Sequence, residues 1–381
     1  MTTRHAPVRL AMVGGGLDAF IGAVHRKAAS LDGMFDLVAG CLSTDPEVCR
    51  ASGEAYRIAP DRSYTSLDAL IAGERTRPKH ERAEVVSIVT PNHTHHAIAK
   101  ACLTNGFHTL VEKPMTTTSA EAEELRDVAD ANDRVCAVMY NYSGYPMVRQ
   151  AREMIASGAI GAVRKVFVEY HQGWLSTKAE DAGVAQAEWR TDPALAGLGG
   201  ALGDIGTHAE HLARFVTGLE IASLSAELTS FVPGRALDDD AAVLLRFLSG
   251  AKGVLTASQV CAGEGNGLTL RVYGDAGALR WRQESPEHLE HLTLDGATRT
   301  ITRGGPGTTD FTHALSRIPV GHPEGFIEAF ANIYRGLADR VRGEGSDLAH
   351  LLPTATSGHT GVRFVEKCVE SSKNDGAWTD W

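Results

Sequence analysis

Lys113 stands where its amine could transfer a proton or stabilise a negative charge. Residues 107–111, Phe-His-Thr-Leu-Val, predict a buried and largely apolar strand, and Glu112, Lys113 and Pro114 follow it directly. Pro114 disfavours a helical conformation at Lys113, and open α/β sheets bind ligands at the carboxyl ends of their strands. A buried lysine can have a pKa in a catalytic range. A solvent-exposed Glu-Lys pair is the alternative interpretation, because both residue types are mostly exposed.

Asp204 and His208 form a second pair that could do chemistry. From Asp204 onward the apolar residues recur at helical spacing, and Gly218 predicts the end of the helix. Residues four apart share one helix face. A carboxylate beside an imidazole orients the ring and stabilises its protonated form, which suits a general base. A solvated pair on a helix surface is the other interpretation.

Three glycines, residues 14–16, follow a short apolar strand at 8–13 and precede a helical stretch that begins near Gly22. Strand, glycine turn and helix are the context of a dinucleotide-binding fingerprint. Glycines let the backbone approach a pyrophosphate, and the amino end of the helix donates N–H groups to it. We therefore predict that Gly14, Gly16 and Gly22 bind a cofactor, although five residues separate the last two where the usual fingerprint has two.

The segment after the second apolar strand, 35–42, predicts which dinucleotide is bound. An acid there binds the ribose hydroxyls of NAD, and a basic residue binds the phosphate of NADP. Ser43, Thr44 and Asp45 occupy this segment, and the first arginine is Arg50. We predict NAD, with Ser43 and Asp45 in contact with it. NADP is possible, because the hydroxyls could accept a phosphate.

A Thr-Pro-Asn turn begins at residue 90, directly after the apolar strand 84–89, and three histidines lie within 93–96. No Cys-x-x-Cys or His-Glu-x-x-His motif accompanies them, so we predict no metal site. A turn at this edge of the sheet would instead lie over the cofactor. The residues predicted to contact the cofactor from this edge are Thr90, Pro91, Asn92, His95, Glu112 and Lys113.

The alternation of strands and helices predicts the fold class, α/β with two domains. In residues 1–140 it indicates a Rossmann dinucleotide-binding domain with a parallel doubly wound sheet. In residues 141–381, a helix, a strand and a β-rich stretch at 220–303 with turn glycines predict an α+β domain for substrate binding and oligomerisation. Its sheet is expected to be large, open and mostly antiparallel. The helices predicted at 324–342 and 358–371 could pack back on the first domain.

Composition restricts the partners. A chain of 381 residues exceeds one ordinary core, and a net charge of −10 argues against nucleic acid as a partner. No apolar run approaches the roughly 18–20 residues of a membrane span. Residues 1–7 lack the apolar core of a signal peptide, which predicts a cytoplasmic protein. The six scattered cysteines are expected to be reduced thiols.

Together, the glycines at 14, 16 and 22, the Thr-Pro-Asn turn, Glu-Lys-Pro at 112–114 and the segment 200–208 resemble the glucose–fructose oxidoreductase, inositol dehydrogenase and rhizopine-catabolism family. The resemblance extends from Val8 to about Tyr334. It implies a Rossmann domain, a second domain whose open sheet often packs into homodimers or homotetramers, and oxidation of a sugar or cyclitol hydroxyl with NAD or NADP.

The resemblance also implies residue roles. Lys113 would contact the substrate and the nicotinamide, Asp204 would bind substrate hydroxyls, and His208 would be the acid/base. Trp189 and Arg190 match a stretch that lies against the cofactor in the family. Residues 17–21 depart from the usual glycine spacing, and Ser143 stands where many members carry an arginine.

Further substrate contacts are hypotheses within that resemblance. Tyr170, Gln172 and Trp174 share one strand face through their spacing of two and would line the sugar pocket, unless they form an ordinary sheet face. His322 is predicted to open a helix and bind hydroxyls, or only to cap that helix.

The chemistry implied is hydride transfer from a ring C–H to C4 of the nicotinamide. His208 or a deprotonated Lys113 would accept the hydroxyl proton, whereas an ammonium at Lys113 would stabilise the developing alkoxide. Two alternatives are glycoside hydrolysis through transient oxidation with a retained NAD, and a non-enzymatic sugar or nucleotide sensor. The presence of Lys113, Asp204 and His208 argues against the sensor.

Overall fold

The computed structural model describes residues 5–17 and 19–381 and divides them into two compact units. The first unit comprises the described residues up to Thr116, with Ala120–Asn141 and Phe326–His359. The second comprises Thr117–Ser119, Tyr142–Gly325 and Thr360–Trp381. The predictions made for residues 1–7 and 17–21 fall in part outside the described residues, at positions 1–4 and 18.

The first unit contains a five-stranded parallel sheet with strand order β2-β1-β3-β4-β5. Every residue of its central strand β3 is buried, as expected for a parallel strand covered on both faces. This confirms the predicted doubly wound parallel sheet. Its strands and the helices between them are β1 (Val8–Gly14), α1 (Phe20–Leu31), β2 (Phe35–Cys41), α2 (Pro46–Ala55), α3 (Leu67–Thr76), β3 (Val85–Val89), α4 (His95–Thr104), β4 (His108–Val111), α5 (Ser119–Ala131) and β5 (Cys136–Val138).

The second unit is built on a nine-stranded sheet with order β13-β12-β11-β10-β6-β9-β8-β7-β14. β6 and β9 are parallel neighbours, and the other described pairs run antiparallel, which confirms a mostly antiparallel sheet. The elements up to residue 314 are α6 (Pro146–Ala156), β6 (Val163–His171), α7 (Ala185–Arg190), α8 (Pro193–Ala196), α9 (Thr207–Thr217), β7 (Ile221–Thr229), β8 (Asp240–Phe247), β9 (Lys252–Ser258), β10 (Gly267–Gly274), β11 (Gly277–Arg282), β12 (His288–Thr293), β13 (Thr298–Thr302) and α10 (Asp310–Ala314).

The last part of the chain contributes to both units. Helices α11 (Phe326–Val341) and α12 (Asp347–His350) belong to the first unit. There Phe330 and Tyr334 of α11 share a buried apolar cluster with Val24 of α1. Helix α13 (Ala355–Lys373) follows, and β14 (Thr379–Asp380) adds the edge strand beside β7.

Two helix starts differ from the sequence prediction. The segment that contains Asp204 is a π-helical turn, Leu202–Gly206, and the α-helix begins only at Thr207. The helix predicted from 324 begins at Phe326, and His322 lies in an exposed turn before it. The prediction that His322 opens or caps a helix is therefore wrong.

None of the helices in residues 5–17 and 19–381 combines the length and apolar character that a bilayer-spanning segment requires.

Candidate active site

The glycine turn after β1 has no room for side chains. Gly14 has φ +77°, and a Cβ there would lie 2.5 Å from the carbonyl oxygen of Val89. A Cβ on Gly22 would lie 2.4 Å from the Cα of Gly15. The first turn of α1 contains no acidic residue, and its N-cap residue Ala19 makes no side-chain capping bond. These features fit a dinucleotide pyrophosphate, because within the described residues no carboxylate of the first turn competes for the N–H groups of the helix.

Asp45, the predicted ribose contact, caps α2. Its Oδ1 accepts hydrogen bonds from the backbone N–H groups of Glu47 (2.7 Å) and Val48 (3.2 Å). Ser43 Oγ accepts from the N–H of Asp45 at 3.1 Å. Both Asp45 and Arg50 are exposed. Contact of Ser43 and Asp45 with the cofactor stays a prediction, and the cap fixes the position from which Asp45 would make it.

The three predicted turns follow neighbouring strands. Gly14 pairs with Val89, and Ile88 pairs with Val111. The glycine turn, the Thr-Pro-Asn turn and the Glu-Lys-Pro segment therefore leave one edge of the sheet side by side.

His95 joins two of these turns. Its Nδ1 lies 2.9 Å from the carbonyl oxygen of Pro114, and its Nε2 lies 2.8 Å from that of Thr90. The side chain is fully buried. Burial lowers the pKa of His95, whereas the two carbonyls and the charge of Glu112 act in the opposite direction. Both ring nitrogens face backbone oxygens, so His95 supports the turns rather than offering a nitrogen to a ligand.

Glu112 is buried and ionised. Its Oε1 accepts from Nε2 of His25 at 2.8 Å, and its Oε2 accepts from the backbone N–H of Lys113 at 3.0 Å. Burial acts to raise the pKa of Glu112, but the hydrogen bond and charge of His25, together with the charge and backbone N–H of Lys113, outweigh it and hold the pKa below its usual value. His25 Nδ1 in turn lies 2.8 Å from the hydroxyl of Tyr334. The alternative of a solvent-exposed Glu-Lys pair is wrong, because Glu112 is buried and Lys113 is only partly exposed.

The other histidines of the Thr-Pro-Asn segment are His93 and His96. His96 Nε2 lies 2.7 Å from the carboxylate of Glu124. Across residues 5–17 and 19–381, no group of three or more histidine, cysteine, aspartate or glutamate side chains is arranged to hold a metal ion.

Asp204 and His208 lie in the second unit among aromatic and amide side chains. Oδ2 of Asp204 accepts from Nε2 of Gln259 at 2.9 Å and from Nε of Arg190 at 3.2 Å. His208 is 6% exposed. Its ring meets that of Tyr142 edge to face, with centroids 4.7 Å apart. The solvated-surface interpretation of Asp204 and His208 is therefore wrong.

Tyr170, Gln172 and Trp174, which were predicted to line a sugar pocket, belong to one set of hydrogen bonds that includes Asn266. Tyr170 donates to its Oδ1 at 2.6 Å, and Gln172 Nε2 donates to the same oxygen at 2.9 Å. Trp174 Nε1 donates to Oε1 of Gln172 at 3.0 Å. Burial raises the pKa of Tyr170 well above its usual value, so Tyr170 is a neutral phenol rather than a base. Of the three residues, Tyr170 alone lies within β6, so they do not share one face of that strand.

The remaining predicted residues are Trp189, Arg190 and His322. The guanidinium of Arg190 stacks over the ring of Trp189 at 4.1 Å and pairs with Asp204, which places Arg190 in the polar cluster of the second unit. The carbonyl of His322 accepts from Arg303 Nη2 at 2.5 Å. Among the described residues, the side chain of His322 makes no hydrogen bond to the cluster around Asp204.

Comparison with known proteins follows the same division into two parts. A family model described as an oxidoreductase family with an NAD-binding Rossmann fold matches residues 8–140. A second model, the GFO/IDH/MocA C-terminal domain, matches residues 148–280. The chain belongs to the Gfo/Idh/MocA family of oxidoreductases.

Solved and curated relatives of this family span nearly the whole chain. An inositol dehydrogenase homolog from Azotobacter vinelandii, crystallised with NAD+, is 39% identical, with a TM-score of 0.95 and coverage of 98% of this chain and 97% of that one. Its complex with NADH and myo-inositol gives 38% identity, a TM-score of 0.91 and 98% coverage of both chains. Levoglucosan dehydrogenase of Pseudarthrobacter phenanthrenivorans is 28% identical over 98% of both chains.

This family member is an NAD-binding oxidoreductase, and its Rossmann domain contains the glycine turn described above. Three residues of the polar cluster were not predicted from the sequence, namely Tyr142, Gln259 and Asn266. Gln259 directly follows β9 and Asn266 directly precedes β10. Neither belongs to a motif, so only the sheet pairing brings them to Asp204 and Tyr170.

Proposed function

We propose that this oxidoreductase oxidises a ring hydroxyl of a sugar, sugar derivative or cyclitol with NAD. The observation that carries the proposal is the cluster around Asp204. It offers a carboxylate, two glutamines, an asparagine and two phenols beside His208. Such a set of donors and acceptors, neutral apart from the carboxylate and its arginine partner, suits a ligand that has several hydroxyl groups.

In the proposed reaction His208 accepts the hydroxyl proton as the carbonyl forms, and Asp204 binds and orients the substrate hydroxyls. NAD, when bound, supplies the hydride acceptor. The ammonium of Lys113, at the end of β4, stabilises the negative charge that develops on the reacting oxygen. Glu112 supports this role because its carboxylate holds the backbone N–H of Lys113.

The charges of the cluster favour an uncharged substrate. Arg190 is paired with Asp204, so its positive charge is matched within the cluster. A phosphate or carboxylate on the substrate would have to compete with Asp204 for that guanidinium. The relatives named for myo-inositol and levoglucosan, both neutral, support this proposal.

We further propose that NAD is preferred over NADP. Asp45 provides an acidic side chain after β2, and a 2′-phosphate would be repelled by it. Arg50, the first basic residue after this strand, lies within α2.

The test is a spectrophotometric panel of inositols, free hexoses, an anhydrosugar and glucosides, each with NAD and with NADP. We expect formation of the reduced nicotinamide with a neutral polyol, and a higher kcat/KM with NAD. His208→Ala should lower kcat by at least about a hundredfold while NAD still binds. Cleavage of a glucoside without net accumulation of NADH would contradict the proposal, as would preference for a sugar phosphate.

A further inference from the structure

We propose that Gln259 is a positioning residue. Its hydrogen bond to the carboxylate of Asp204 fixes which atoms of the Gln172 and Asn266 amides donate and which accept toward the substrate. The inference rests on the proposed function and adds the group that sets substrate recognition. Gln259 is 2% exposed. Its backbone is fixed on both sides, because its N–H donates to the carbonyl of Asp239 and its carbonyl accepts from the N–H of Leu175. These two bonds therefore fix the position from which the side chain of Gln259 extends.

The direction of the first bonds follows from chemistry alone. Asp204 pairs with Arg190, so its carboxylate is ionised and only accepts. The group of Gln259 that faces Asp204 must be the NH2 group. The same Nε2 lies 3.3 Å from Gln172, so the Gln172 atom it meets must be the oxygen. Trp174 confirms this orientation, because an indole only donates and its Nε1 lies 3.0 Å from the same oxygen.

The direction then passes to the aromatic pair. With its oxygen occupied, Gln172 presents Nε2 to Asn266, whose Oδ1 accepts at 2.9 Å. The NH2 group of Asn266 must then donate to the hydroxyl of Tyr142 at 3.2 Å. Since Tyr170 donates to Asn266, the 2.5 Å bond between the two phenols runs from Tyr142 to Tyr170. The side chains of Asn266, Tyr142 and Tyr170 therefore form a closed ring of hydrogen bonds, and each bond in it has one fixed direction.

This series of hydrogen bonds links the charge of Asp204 to substrate recognition. Tyr142, the last member, meets the ring of His208 edge to face. One buried amide, Gln259, is the link through which the anion of Asp204 dictates whether Gln172 and Asn266 offer donors or acceptors. A substrate hydroxyl therefore meets one fixed pattern rather than several interchangeable ones, and fixed donors and acceptors are what discriminate between polar substrates.

Two substitutions separate this role from packing. Gln259→Met keeps the length of the side chain and removes both donated bonds. Gln259→Glu keeps the shape but places an acceptor opposite the acceptors of Asp204 and Gln172. We expect the KM for a neutral polyol to rise about tenfold in Q259M, the order expected for a lost bond to a charged group, and further in Q259E. The KM for NAD should change little. The matched control is Gln283→Met in the same unit, whose amide donates a long 3.4 Å bond to Tyr145, and it should behave as wild type.

A second measurement does not depend on turnover. The indole N–H of Trp174, one of five tryptophans, is followed by NMR and assigned with Trp174→Phe. In Q259E, Gln172 should turn its NH2 group toward the new carboxylate, so the indole loses its acceptor, its resonance shifts and its hydrogen exchange accelerates.

The outcomes separate the inference from the proposed function. If the wild type oxidises no polyol, the proposed function fails, and the Trp174 resonance still decides the hydrogen-bond chain. If the wild type is active but both variants keep its polyol KM and its indole resonance, the inference is overturned and the function stands. Equal effects of Q259M, Q259E and the Gln283→Met control would likewise overturn it.

Discussion

Removing His25 should reverse the pH dependence of stability in the first unit. In the wild type the buried carboxylate of Glu112 accepts from His25 at 2.8 Å, and its pKa lies below the usual value. A lowered carboxyl pKa stabilises the folded state above the pKa of the unfolded chain, and that stabilisation is lost as the pH falls through the folded pKa. In His25→Leu, burial is opposed only by the charge and backbone N–H of Lys113, and we expect burial, the largest influence, to raise the pKa of Glu112. The folded state then loses stability as the pH rises above about 4–5, where the unfolded carboxyl ionises.

The magnitude follows from the burial of the pair. His25 is fully buried and Glu112 is 9% exposed, and breaking a buried ion pair by removing one partner costs about 3–5 kcal/mol. His25→Gln is the matched control, because its amide can still donate to Glu112 and should recover part of that loss. The double variant His25→Leu/Glu112→Leu should be less destabilised than His25→Leu, since no buried charge is left without a partner.

Urea denaturation between pH 5 and 8 gives the free energy of unfolding of each variant. We expect a flat or rising curve for the wild type and a falling one for His25→Leu. A curve for His25→Leu that is parallel to that of the wild type, or a loss below about 1 kcal/mol, would refute the assignment of His25 as the partner of an ionised Glu112.

Three further outcomes are expected. Burial and the charge of Arg134 lower the pKa of His108 to about 4. The free energy of unfolding should therefore fall by about 3 kcal/mol as the pH drops from 6.5, the pKa of the unfolded chain, toward 4. In urea denaturation at each pH, His108→Asn should remove this slope. Asp238 accepts from the N–H groups of Gly200 and Leu202, both at 2.7 Å. In Asp238→Asn the new NH2 group would face one of these N–H groups, so the free energy of unfolding should fall by about 1–3 kcal/mol in denaturation. The substrate KM should rise in steady-state assays. Lys113→Met should lower kcat/KM by at least about a hundredfold with little change in NAD affinity by titration, the range seen when a charge-stabilising donor is removed; an unchanged kcat/KM would remove Lys113 from the site.

The strands could be predicted because their signal is local. Apart from Ser87, residues 85–89 are apolar, and all five are buried in strand β3. The glycine turn was equally visible, because the close approach of Gly22 to Gly15 excludes any side chain.

The polar cluster could not be predicted in the same way, because its bonds join residues far apart in sequence. Gln259 meets Asp204 only through the packing of β9 beside the π-helical turn. The π turn itself inserts a residue into the helix, and apolar periodicity does not show such an insertion. Arg190 was expected against the cofactor from the family pattern, yet its nearest charged partner is Asp204.

The motifs of the first unit depend on each other more than their sequence separation suggests. His95 reaches the carbonyls of Thr90 and Pro114, so one buried ring holds the turns after β3 and β4 at a fixed distance. Carbonyl oxygens only accept, and both bonds can form together only when the ring carries a proton on each nitrogen. Burial works against that protonated state, and the nearby carboxylate of Glu112 works for it. Burial outweighs that carboxylate and lowers the pKa of His95, so the neutral ring donates to one of the two carbonyls, and both bonds form only as the ring becomes protonated at lower pH.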